Sequence, residues 1–109
     1  RRPPTQSRSD VTVPNTELLY NADVLQRLVC SYSWPCEEAL RVIECESKGD
    51  PNAYSPAYGG MYGLMQIHYG SHYDKFDGVA ADLFDPVVNL EVGNVIWQDS
   101  GWEQWECKP

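Results

Sequence analysis

The stretch Pro35-Cys36-Glu37-Glu38-Ala39-Leu40-Arg41-Val42-Ile43-Glu44-Cys45-Glu46-Ser47-Lys48-Gly49 decides how this chain folds. Residues three and four apart share a helix face. On that period Glu37, Arg41, Glu44 and Lys48 form one charged face, each Glu four residues ahead of its base. Ala39, Val42, Ile43 and Glu46 form the opposite, apolar face. Pro35 suits a first helical position, where no free N–H is needed, and Glu37 and Glu38 favour the first turn. The predicted helix runs to about Lys48, with Gly49 as its left-handed stop. Glu46 is the odd residue, a carboxylate on the core stripe in the last turn. The negative end of the helix dipole and partial desolvation both disfavour its ionisation. Such conditions keep a carboxylic acid protonated and fit for general acid catalysis.

Working towards the N-terminus, residues 31–34 break the helical pattern. Before them, Asn21 caps a predicted helix through Cys30, with Val24, Leu25, Leu28 and Val29 as its apolar stripe. Residues 1–14 are polar and contain Pro3, Pro4 and Pro14, so residues 1–18 read as a flexible leader or linker and 19–109 as the folded domain. Towards the C-terminus, residues 51–70 lack a helical period and are rich in Gly and Tyr; turns and short strands are expected. Asp85-Pro86 then opens another helix, which ends before Gly101. The expected architecture is mainly α with one irregular or β insert.

At 109 residues the chain suffices for one domain. Apolar residues at 42% and charged residues at 22% are globular proportions. Sixteen acidic against eight basic side chains give a formal charge of −8, which excludes sequence-independent phosphate binding, so no nucleic acid partner is expected. The longest stretch without a charge, residues 51–73, is too polar to span a membrane. Residues 1–10 have no apolar core, so the expectation is an exported chain whose targeting segment has been removed. Four cysteines without a Cys-x-x-Cys pair argue for two disulfides in an oxidising compartment and against zinc. A short Cys30–Cys36 bridge would clamp the corner between the first two helices, but four cysteines allow three pairings. His68, His72 and Asp74 are close in sequence, yet no helical period puts them on one face; neither metal nor cofactor is expected. Trp34, Trp97, Trp102 and Trp105 read as packing and end-clamp residues.

Several motifs then fall in order. Glu46-Ser47, Asp50-Pro51-Asn52-Ala53-Tyr54-Ser55-Pro56 and Gly63-Leu64-Met65-Gln66-Ile67 resemble the signature of lytic transglycosylases, the soluble-lytic-transglycosylase-like members of the goose-type lysozyme superfamily. Asp85-Pro86-Val87-Val88-Asn89-Leu90-Glu91-Val92-Gly93 resembles their downstream Asp-Pro-x-x-Asn-x-x-x-Gly segment. The likeness covers about residues 39–105. Cys45 directly before Glu46, and Trp102, Trp105 and Cys107 near the end, are similar to actinobacterial resuscitation-promoting factors. The chain departs from the pattern in lacking a late Ala-Tyr-Asn-Ala-Gly motif and in carrying Ile96 where a Tyr is usual.

The resemblance implies a lysozyme-like fold with helices around a substrate cleft, and the pairing Cys45–Cys107 with Cys30–Cys36. It implies a secreted monomer acting on peptidoglycan glycan strands, at the β-1,4 bond between N-acetylmuramic acid and N-acetylglucosamine. Glu46 would protonate the glycosidic oxygen, and the muramic acid's own N-acetyl group or 6-hydroxyl would replace the usual second carboxylate. The product would be a 1,6-anhydro end. If a second carboxylate takes part, Asp50, Asp74 and Asp77 are the candidates by position. Gln66 and the backbone around Ser55 and Met65 would hold the acetamido sugar, with Tyr62 and Asn89 as further substrate-binding positions. A hydrolysing lysozyme of the same fold and a glycan-binding module without turnover are the alternatives. A disulfide-stapled interaction protein, with Glu46 incidental, fits the ordered motifs poorly.

Overall fold

The computed structural model describes residues 22–109; the expected leader and the Asn21 cap lie outside them. Helix α1 (Ala22–Val29) turns at the Cys30–Cys36 disulfide into helix α2 (Cys36–Ser47). Strands β1 (Tyr54–Ser55), β2 (Met61–Tyr62) and β3 (Ile67–His68) follow, then the single-turn helix α3 (Tyr69–His72) and helix α4 (Pro86–Ser100). Short 3-10 turns at Ala57–Gly59, Tyr73–Lys75 and Ala80–Phe84 join them. The strands form an antiparallel meander in the order β1-β2-β3, with Tyr54 opposite Tyr62 and Met61 opposite His68. The expected mainly helical fold with a small β insert and two disulfides is what the described residues adopt.

A helix of twelve residues is marginal on its own, so its packing must fix it. In α2 the predicted phase holds: Ala39, Val42 and Ile43 are buried, while Glu37, Arg41, Glu44 and Lys48 are exposed. Each fully buried aliphatic side chain contributes about 1.5–3 kcal/mol, several times the effect of a surface Glu–Lys pair. Burial therefore sets the rotation of α2, and Glu46 follows from it. Helix α4 runs through the core, with Val88, Asn89, Leu90, Val92 and Ile96 buried. Asp85 caps it as expected, its carboxylate accepting from the backbone N–H of Val87 at 2.9 Å.

Both ends of α2 differ in detail from the sequence reading. Pro35 is the N-cap rather than the first helical residue, its extended backbone presenting a carbonyl to the Ala39 N–H at 3.0 Å. At the other end Lys48 is itself left-handed, with φ 57°, before Gly49 at φ 78°. The Lys48 N–H closes the last turn on the Glu44 carbonyl, so the reversal begins one residue early.

The C-terminal segment, residues 102–107, is strapped across the fold by tryptophans. Trp102 lies 5.8 Å from Trp34, 6.1 Å from Trp97 and 5.3 Å from Trp105, between ring centroids. Each buried indole N–H needs an acceptor. Trp34 donates to the Val29 carbonyl, Trp102 to Glu38 on α2, and Trp105 to the Met65 carbonyl at 2.9 Å. The Cys45–Cys107 disulfide completes the strap, with the two Cα atoms 6.0 Å apart.

Candidate active site

A cleft of about 450 Å³ lies between the end of α2, the β-hairpin and the C-terminal strap. Glu46 forms part of its wall, half-buried where the apolar stripe of α2 runs out. Its carboxylate accepts a hydrogen bond from the Cys107 backbone N–H at 3.2 Å. Burial raises the pKa of Glu46 above the usual carboxylate value, and the nearby negative charge of Glu106 adds to the rise. The Cys107 hydrogen bond and the Lys108 charge oppose it, but burial is the largest influence. A carboxyl group whose pKa is raised, on the wall of an open cleft, is better suited to protonate a leaving oxygen than an ordinary surface carboxylate.

Around it the sequence supplies mostly hydrogen-bonding groups. Ser55 on β1 and Gln66 line the same cleft. Gln66 is buried at a positive φ of 52°, and its amide N–H groups donate to the carbonyls of Ala53 and Gly63. His68 is held at both ring nitrogens, by Ser71 Oγ at 2.7 Å and by the Tyr58 carbonyl at 2.6 Å. A carbonyl only accepts, so in the neutral ring Nε2 carries the proton and Nδ1 accepts from Ser71. His72 lines the cleft too, and its Nδ1 is buried without a partner. Burial, with Lys75 and His68, lowers the His72 pKa, which favours a neutral imidazole able to bond to a sugar hydroxyl. Ile96, where the resemblance expects Tyr, is buried against the cleft and brings no hydroxyl.

The other expected substrate residues lie elsewhere. Asn89 is fully buried and its amide is committed within the protein. It accepts from the Met65 N–H at 2.9 Å and donates to the carbonyls of Tyr62 and Leu83, both at 2.8 Å. Asn89 thus shapes the residue 62–66 loop and is not among the residues that line the cleft. Gly63 sits against it with φ 77°, where any Cβ would run into the Asn89 side chain and the Leu83 carbonyl. Met65 is fully buried, its N–H used by Asn89 and its carbonyl bonded by Trp105, so it supports the cleft from behind. Tyr62 packs between Tyr54 and Phe84 and is not part of the cleft wall. Asn89→Ala leaves three polar partners unsatisfied and opens a cavity, so it is expected to cost about 3–5 kcal/mol, read as a lowered midpoint in denaturant unfolding.

None of the three candidate second carboxylates lines the cleft. Asp50 is engaged by the Asn52 N–H at 2.8 Å in the turn after α2. Asp74 is exposed beside Lys75 at 3.7 Å, and Asp77 is exposed on the following loop. The cleft wall instead carries Glu106, which sequence reasoning passed over. A signal for it was present: Cys45 directly precedes Glu46 and Cys107 directly follows Glu106, so pairing those cysteines draws both glutamates together. Among the described residues, no cluster of His, Cys, Asp or Glu is arranged to hold a metal ion. No helix among them is long and apolar enough to cross a membrane.

A half-buried acid on an open cleft, framed by sugar-compatible hydrogen-bonding groups in a helical fold, defines the class as a glycosidase of lysozyme-like fold. The sequence model of the transglycosylase SLT domain matches residues 6–101. The chain belongs to the transglycosylase SLT domain family, whose members are lytic transglycosylases acting on peptidoglycan. Comparison with curated proteins and with solved structures gives no match.

Proposed function

We propose that this protein cleaves the β-1,4 bond between N-acetylmuramic acid and N-acetylglucosamine in peptidoglycan, with Glu46 as general acid and then base, and leaves 1,6-anhydro ends. The observation that carries this reading is Glu46 itself, a carboxyl of raised pKa on the cleft wall. Glu46 donates its proton to the glycosidic oxygen as positive charge develops at the muramyl anomeric carbon. The muramyl 6-hydroxyl then closes on that carbon and returns its proton to Glu46, so the acid is regenerated and no water is consumed. Ser55, Gln66 and His72 supply hydrogen-bonding groups along the same wall. The protein works outside the cell at the wall, a setting consistent with two disulfides.

Mass spectrometry of muropeptides released from purified walls tests the product. The expected fragments are lighter by one water than those of a hydrolase. Reducing ends alone would reassign the protein as a hydrolysing lysozyme, and binding without release would make it a glycan-binding module. The pH dependence follows from the same carboxyl. An acid catalyst acts while protonated, so the rate should hold at acidic pH and fall as pH rises through the elevated Glu46 pKa. A rate that instead rose through that range would assign Glu46 the role of initial base.

A further inference from the structure

Glu106 takes no part in the proton transfer proposed for Glu46. It stands on the C-terminal strap, immediately before the residue whose N–H bonds Glu46, and it shares the cleft wall with Glu46. Tyr58, from the 3-10 turn after β1, donates its hydroxyl to Glu106 Oε2 at 3.4 Å, so a hairpin side chain reaches this carboxylate from across the cleft. Tyr58 is in turn fixed by its carbonyl, which His68 bonds, and by a left-handed backbone of φ 55°. The family match ends at residue 101, so Glu106 lies beyond the segment that defines the family.

We propose that Glu106 is a second functional carboxylate of this cleft, a positioning residue that acts on the reaction through the charge it presents to Glu46. The inference rests on Glu46 being the acid. Two ionised carboxylates on one cleft wall repel, so the charge of Glu106 adds to the rise that burial gives the Glu46 pKa. Glu46 is half-buried, while Glu106 is exposed on the strap. The Glu106 carboxylate also lines the cleft in which the oxocarbenium-like charge forms, with no Lys or Arg among the described residues of its wall to cancel it. The groups that face Glu46 are few. Glu106 on the strap and Lys108 just beyond it act on its charge, while His68 and His72 from β3 and α3 and Tyr58 from the hairpin turn line the same cleft. Lys108 opposes Glu106 but is directed by its ammonium group to the Trp105 carbonyl.

The test compares wild type with Glu106→Gln and Lys108→Gln, the exposed side chains on either side of Cys107. In Glu106→Gln the alkaline limb of the pH–rate profile should move to lower pH, and in Lys108→Gln to higher pH. Above the wild-type midpoint, Glu106→Gln should lose about two- to fivefold in rate, the scale of an exposed charge interaction. High salt should shrink the difference, because exposed charges are screened within about 10 Å at 0.1 M. A merely structural role would produce neither opposite signs nor salt dependence. Titration of the Glu46 carboxyl carbon by NMR, without substrate, should shift in the same two directions. An unmoved titration in Glu106→Gln, with wild-type cleavage intact, overturns this inference. Absence of wild-type cleavage, with the titration shifts intact, would sink the catalytic reading instead.

Discussion

Glu46→Gln is expected to reduce turnover by about 10²–10⁴-fold while leaving glycan affinity nearly unchanged. The amide matches the carboxyl in shape and can still take the Cys107 N–H bond through its oxygen. What it lacks is a proton to give and a site to take one back. The loss should therefore appear in kcat rather than in KM. Glu44→Gln is the matched control, since Glu44 is exposed on the opposite face of α2. It should alter turnover little in the same wall-lysis assay. Comparable lysis by wild type and Glu46→Gln would remove Glu46 from the mechanism.

Opening the Cys45–Cys107 bridge should produce the largest loss of stability. It closes 62 residues of sequence separation, for which the loop-entropy estimate is roughly 4 kcal/mol. Of a typical domain stability of about 5–15 kcal/mol this is a large share. The effect on the site is expected to exceed the effect on the fold. Cys107 supplies the N–H that fixes Glu46, and its neighbour Glu106 reaches the cleft from the same strap. A Cys45→Ser/Cys107→Ser pair should therefore lower the unfolding midpoint and also lower kcat at temperatures where the protein remains folded. The Cys30–Cys36 bridge, with a separation of six residues, closes far less chain. Its removal should cost less stability and leave the pH profile in place. Equal effects from the two bridges would show that the strap does not position Glu46.

Legibility in the sequence followed the range of the forces involved. Helix α2 and the phase that turns Glu46 inward were readable because helical periodicity is local, and Ala39, Val42 and Ile43 alone choose the buried face. The Asp85 cap and the break at Gly101 were readable for the same reason: one side chain or one backbone angle settles each. The insert read only as turns and short strands, since strands of two residues carry no period and their pairing depends on the chain around them. Asn89 was visible as a motif residue, but its role was not. A buried amide becomes a hub only when the Met65 N–H and the Tyr62 and Leu83 carbonyls converge on it from other segments.

The second carboxylate marks the same boundary. By sequence alone Asp50, Asp74 and Asp77 were the candidates by position, yet their side chains go to a local turn, to Lys75 and to the surface. Glu106 is sixty residues from Glu46 and reaches it only through the strap, which the disulfide and the Trp105–Met65 bond hold in place. Local sequence was enough for the three longer helices, the family and the one carboxyl pressed onto an apolar face. Tertiary structure decided what surrounds that carboxyl, because desolvation and charge interactions act through space across distances that chain order does not encode.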